Sequence, residues 1–439
     1  MRAVRRVITS EAAVLAALAI LMARGAAAQA TRYETIYSFQ GSPDGADPKG
    51  AVVIGKDGGL YGTTFGGGTS VLGTVYRLAY AAGEGWKETV LYNFIGSLGQ
   101  YPESTLVFGS TGALYGTTIS GGGGAGAIFE LAPPSAAGND WKETVVYTFV
   151  YSIDTHNQNV VPNGGLLMGP SGTLYVTNQG SPADGIGAYL GTVDALAPPA
   201  ATGGDWTDYE LYVFGNGGVL GGTSGAQPLA GVVSAGGSLF GTTYSGGDIY
   251  CGYYGCGVVY ELTPPAAHGD PWTETTIYTF TGSPDGGSPE AALTVGPGGV
   301  IYGTTSSGGS AACGCGTVFQ LTPPPVAGGT WTESAIYSFT GINGDGASPS
   351  ASVVVGSNGA LYGTTQSGGS ADLGTVFKLT PPATTGGGWT ERVLHSFSGE
   401  NGDGATPLAA LVPGANGVLY GTTSTGGTAG HGTVFAVAP

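Results

Sequence analysis

Nearly the same nineteen residues recur seven times along this chain, and one clear copy reads LYGTTQSGGSADLGTVFKL from Leu361 to Leu379. The copies open at Leu60, Leu114, Leu174, Leu239, Ile301, Leu361 and Leu419, 54 to 65 residues apart. A period of that length belongs to solenoids and propellers. It restricts the chain to a series of like units, open or closed into a ring.

Each period holds four strand-like pieces. In the sixth these are ASVVVG (351–356), LYGTT (361–365), GTVFKL (374–379) and WTERVLHSF (389–397), separated by SNG, SGGSADL and TPPATTGGG. Short β-branched or aromatic runs between Gly, Pro, Ser and Asn clusters read as strands joined by turns. No 3.6-residue periodicity interrupts them, so crossover helices and a parallel sheet are not expected. The unit is a four-stranded antiparallel meander. In the fourth strand Trp precedes Phe by eight residues each time, as in Trp86 and Phe94 or Trp389 and Phe397. Even spacing predicts both rings on one face of the strand, packed in the core. The Gly of LYGTT, replaced by Val176 in the third copy, predicts close backbone approach between blades near the axis.

The ends of the repeat choose between an open and a closed arrangement. RYETIYSF (32–39) matches a fourth strand with no partners before it, and the last copy holds three strands and then GTVFAVAP. One strand, six full units and three more strands make 28, which is seven fours. A ring uses that offset to leave no unpaired edge. The expected fold is therefore all-β: a seven-bladed β-propeller of four-stranded antiparallel blades, its N-terminal strand completing the last blade.

Residues 1–30 read as a signal peptide, with Arg2, Arg5 and Arg6 ahead of an apolar run from Ala12 to Met22 and a small-x-small site at Ala28-Gln29-Ala30. About eleven apolar residues fall short of the roughly twenty that cross a bilayer, and no later segment is long enough, so the mature chain, 31–439, is expected to be one propeller domain without a transmembrane segment. Its expected place is outside the cytoplasm: extracellular, at the cell surface or in the periplasm. Cleavage leaves 8 Lys and Arg against 28 Asp and Glu, a net −20 in place of −17. With no basic patch, nucleic acid is excluded as a partner. The 86 Gly suggest disorder, but 24 Tyr, 14 Phe and 6 Trp at fixed places in the repeat argue for an ordered chain.

The repeat LYGTTxxGGxxxxGTVFxL resembles that of the GloVer tandem-repeat proteins, exported bacterial proteins also described as "choice-of-anchor", and the resemblance covers essentially the whole mature chain. It implies export and repeat identity and brings no catalytic residues. Those proteins commonly carry a C-terminal anchoring segment, whereas here Pro439 follows directly on the last third strand.

In a propeller the blade-crossing connections and the loops between second and third strands share one face. Four connections are alike: GSPDGADP with Asp44, GSPDGGSP with Asp285, GINGDGASP with Asp345 and GENGDGATP with Asp403. These Asp are either cation ligands, calcium fitting best, or ordinary Asp-Gly turn residues, and the turn is the favoured reading. The connections into blades two to four, and the loops of blades three and four, break the pattern. They carry Tyr101, Tyr151, Tyr189, Tyr250, Tyr253 and Tyr254 with Asp154, Asp184 and Asp248. Exposed Tyr beside Asp suits a neutral polyhydroxylated ligand; the alternative is Tyr that merely covers apolar surface under long loops.

Four cysteines sit in neighbouring loops, Cys251 and Cys256 in blade four, Cys313 and Cys315 in blade five. In an exported chain they read as disulfides, within each loop or across blades. No nucleophile elbow, phosphate loop or dinucleotide fingerprint is present, and His156, His268, His395 and His431 show no metal-ligand spacing. The expectation is a secreted, non-enzymatic propeller without a cofactor that binds a glycan or protein partner through one face. The alternatives are a hydrolase or lyase of carbohydrates using the blade two to four carboxylates, and a purely structural scaffold.

Overall fold

Every LYGTT-like run becomes the second strand of a four-stranded antiparallel sheet. Seven such sheets form in the computed structural model, which describes residues 32–121, 124–135, 140–149, 161–180, 190–201, 203–215, 223–247, 254–266, 271–326, 328–384 and 386–439. Blade 6 shows the pattern, with strands Val354–Val355, Leu361–Thr365, Thr375–Thr380 and Thr390–Ser396 paired in order. No α-helix occurs among the described residues, and no helix there is long and apolar enough to cross a membrane.

The seventh blade is shared between the two ends of the repeat. Arg32–Ser38 lies antiparallel to Thr433–Ala438, from Arg32 opposite Ala438 to Ser38 opposite Thr433. This closes a seven-bladed β-propeller. The first strands are innermost, because the small residues that precede them almost touch across junctions. A Cβ on Gly50 would stand 2.7 Å from the Ser104 carbonyl oxygen, and one on Gly231 2.4 Å from that of Gly165. Second-strand threonines bind the next blade there, as Thr364 Oγ1 donates to the Ala409 carbonyl (3.2 Å) and Thr422 Oγ1 to that of Gly50 (3.1 Å), across the closure.

The tryptophans do not share a face with the phenylalanines. Trp86 lies against Tyr420 of the preceding blade, whereas Phe94 lies edge-on to Phe129 of the following one, and Trp141 repeats this against Tyr61. The reason is a β-bulge at one place in all seven fourth strands, passing over Ile36, Leu91, Val146, Leu211, Ile277, Ile336 and Leu394. An extra residue reverses the alternation between Trp and Phe. Phe39, Phe94, Phe149, Phe214, Phe280, Phe339 and Phe397 are consequently buried, and the tryptophans only half-buried between blades.

The LYGTT glycines also have a different cause from the expected one. Gly363 pairs directly with Phe377, and a Cβ at Gly363 would stand 2.6 Å from Phe377 Cζ. The ring of the third strand lies across its own cross-strand partner, within the blade. The exception supports this reading, because Val176 pairs with Asp194, which stands where the other blades have an aromatic ring. Burial, then neighbouring Asp208, pushes the Asp194 carboxyl well above its ordinary range, while Asn178 Nδ2 (2.5 Å) and Thr192 Oγ1 (2.9 Å) donate to it.

Gly363→Val should therefore destabilise by about 1–3 kcal/mol through overpacking. Phe377→Leu in the same chain should recover at least ~1 kcal/mol of it, a coupling read from urea midpoints of the two single variants and the double. Simple additivity would show that the ring does not set the glycine.

Candidate functional site

The four Asp-Gly loops end the fourth strands of blades 7, 4, 5 and 6, and their carboxylates are occupied by the loops themselves. Asp44 accepts from Tyr37 Oη and the Gln40 amide (both 2.9 Å), and Asp285 from Tyr278 Oη (2.7 Å) and the Thr281 amide (3.0 Å). Asp345 accepts from Tyr337 Oη (3.2 Å) and the Thr340 amide (2.8 Å), Asp403 from the Ser398 amide (2.8 Å) and His395 Nε2 (3.1 Å). Each lies at its own blade junction, and no three His, Cys, Asp or Glu side chains gather as a metal-ligand set among the described residues.

A second carboxylate faces three of these. Glu88, Glu333 and Glu391, two residues after the tryptophans, are each pushed up to about 7, by burial first and then by Asp44, Asp285 and Asp345 respectively. At the junction of blades 6 and 7 Tyr33 stands in the place of that Glu. Its ring stacks on His395 with centroids 3.5 Å apart, and although burial opposes it, the bonds from His395 and Ser398 hold Asp403 at about 2.

Of the irregular loops, Tyr151, Asp154, Asp184, Tyr189, Asp248, Tyr250, Cys251 and Tyr253 lie outside the described residues. Tyr254 is exposed on the loop face, and Tyr101 is half-buried. Cys313 and Cys315 form a disulfide within their loop, and Cys256 is disulfide-bonded as well.

A site that the sequence reading passed over surrounds the axis on the same face. Seven times the chain enters an innermost strand through an X-Pro pair, with X being Asp47, Tyr101, Val161, Gln227, Ser288, Ser348 and Thr406. The proline is buried, X and the residue after the proline are half-exposed, and the next residue is small and buried. Beside X stands the residue that follows LYGTT: Phe65, Ile119, Gln179, Tyr244, Ser306, Gln366 or Ser424. One backbone bond joins the two in all seven blades, from the amides of these residues to the carbonyls of X, at 3.0, 3.3, 2.8, 2.9, 3.2, 3.1 and 3.1 Å in blade order. Six of the seven X residues hold φ between 53° and 60°, a conformation that non-glycine residues rarely adopt and that persists only where the surroundings impose it.

The frame is constant and the side chains on it are not. Side chains in the ring meet one another: Asn163 Nδ2 donates to Gln179 Oε1 (2.5 Å), Ser306 Oγ to Glu290 Oε1 (2.8 Å), and Ser350 Oγ to Gln366 Oε1 (3.3 Å). Between blades 1 and 2, Lys49 Nζ reaches Glu103 (2.5 Å) and lies 3.6 Å from the centre of the Phe65 ring, on which Tyr101 stacks at 4.9 Å. In the sequence the available signal was that these positions change type from copy to copy while their neighbours repeat.

No curated protein matches the chain. The extracellular domain of a candidate one-component system from B. thetaiotaomicron aligns with 92% of this chain at 11% identity and a TM-score of 0.50; the match spans 42% of that structure's chain. A candidate 6-phosphogluconolactonase from Bacteroides uniformis aligns with 84% of this chain and 88% of its own at 13% identity and a TM-score of 0.48. Trypanosoma rangeli sialidase in complex with sialic acid aligns with 94% of this chain and 59% of its own at 12% identity and a TM-score of 0.41. Such identities speak to fold alone. The family model described as the Gloeobacter/Verrucomicrobia repeat matches residues 26–204 and 206–435, and the chain belongs to that family.

Proposed function

We propose that this chain is an exported β-propeller that binds a glycan or protein partner through its loop face, without a cofactor and without turnover. The observation that carries the reading is the axial ring. Twenty-one positions, three per blade, share a backbone frame repeated in every blade and differ in side chain, so what varies around the axis is what is displayed. A scaffold with no ligand needs no such variation at positions that, apart from buried Ser424, are half-exposed, six of them in left-handed backbone. Export rests on the signal-like residues 1–30 and places the protein outside the cytoplasm, at the cell surface, in the periplasm or in the medium. Among the described residues, five of the nine exposed large apolar side chains, Val71, Ile95, Leu98, Tyr254 and Ile342, also lie in loops of this face, which suits a surface that meets a partner.

The test is a screen of immobilised protein against glycan and extracellular-protein arrays, repeated with Ser288→Lys and Ser348→Lys together. The expected result is a partner whose signal falls at least tenfold in the double variant while its Tm stays within a few degrees. A partner bound equally well by both proteins would remove the ring from the function.

A further inference from the structure

From the junction of blades 1 and 2 on this ring we infer a binding subsite for one sugar ring of a neutral oligosaccharide; the inference rests on the binding reading above and adds the ligand class and its anchor. Tyr101 is held in place before any ligand arrives. Its backbone is in the left-handed region (φ 60°), its amide donates to the Leu72 carbonyl (2.9 Å), and its ring stacks on Phe65 at an interplanar angle of 25°. Phe65 is in turn held by Lys49, which Glu103 fixes. A phenol already stacked on one face makes a platform on the other with a reduced ordering penalty on binding.

The chemistry around the platform selects the ligand. The aromatic face of Tyr101 complements the C–H face of a pyranose lying on it, and Val71, Ile95 and Leu98 are exposed in the loops of the same junction. Further around the ring stand Gln179, Gln227, Gln366 and several Ser and Thr, groups that donate and accept and therefore match sugar hydroxyls of either polarity. Charge sets the exclusion. The ring carries Lys49 against Asp47, Glu103 and Glu290, and residues 31–439 together carry 8 Lys and Arg against 28 Asp and Glu, so uronate and sialate units meet like charge. A flat neutral sugar is favoured and an acidic one rejected.

Calorimetric titration of the full chain as exported provides the test. One panel contains neutral hexasaccharides (cellohexaose, xylohexaose, mannohexaose, maltohexaose), the other acidic ones (oligogalacturonate, oligomannuronate, oligosialate). At least one neutral member should bind, with Tyr101→Ala weakening it about tenfold, Tyr101→Phe staying within about twofold, and Tyr209→Ala, exposed on the outer strand of blade 3, having no effect. Thermal unfolding of Tyr101→Ala separates a lost platform from a lost fold, and Tyr101→Phe keeps the platform should the alanine variant fail to fold. Tighter binding of the acidic panel overturns the ligand class, and neutral binding indifferent to Tyr101 overturns the subsite. Silence of both panels overturns the inference, while a protein ligand sensitive to Ser288→Lys and Ser348→Lys would leave the binding reading standing.

Discussion

Deleting residues 32–39 should abolish the closed ring, leaving a protein that unfolds tens of degrees lower and elutes as oligomers. This is the largest effect expected of any change to the chain. The segment supplies the whole outer strand of blade 7, its Phe39 is fully buried edge-on to Tyr76, and its Tyr33 caps His395 of blade 6. Phe39→Ala by itself should cost about 3–5 kcal/mol, the usual range for a buried phenylalanine. Without the strand, Thr433–Ala438 becomes an open edge able to pair with another chain. Thermal unfolding and size-exclusion chromatography read the two consequences, and a peptide of residues 31–40 added in trans should reverse both. A truncated chain that stays monomeric with an unchanged Tm would show that the ring does not depend on its shared blade.

The second large effect is on pH. Glu88, Glu333 and Glu391 titrate near 7 in the folded protein against an unfolded value of 4.5. A raised folded pKa means that the folded state holds the proton more tightly than the unfolded one. The stabilisation is therefore complete below about 4.5 and lost as pH rises through about 7. Asp403 has the opposite sign, since its value of about 2 gives stability that is present above 3.8 and lost only in stronger acid. The two together place the stability maximum on the acid side of neutrality. These glutamates are partly exposed, so each is discounted for screening to about 1 kcal/mol, and three of them correspond to a Tm roughly 3–4 °C lower at pH 8 than at pH 5. Glu88→Gln, Glu333→Gln and Glu391→Gln combined should flatten the profile and raise the Tm at pH 8. A Tm that is level or rising from pH 5 to 8 in the unmodified protein would mean that the Asp–Tyr–Glu junctions ionise without penalty.

Blade number, strand order and the shared seventh blade were legible in the chain, because they rest on local signals repeated seven times: short β-branched and aromatic runs, turn residues, and an offset in the repeat that only a ring uses. The side on which a side chain lies was less legible. Eight residues separate Trp86 from Phe94, yet the two face different neighbours, since a bulge at Leu91 intervenes and depends on how the fourth strand is accommodated by the third. The glycine of LYGTT could be seen to be needed, but its reason is the ring across from it, Phe377 for Gly363, and a cross-strand partner is known only once register is set. The axial ring stands furthest from the sequence. Asp47, Tyr101, Val161, Gln227, Ser288, Ser348 and Thr406 are 54 to 66 residues apart along the chain, and none has meaning as a site by itself. Local propensity thus decides the repeating unit, because its hydrogen bonds and turns lie within about sixty residues. Closure alone decides the surface, because only the meeting of seven innermost strands brings those side chains around one axis.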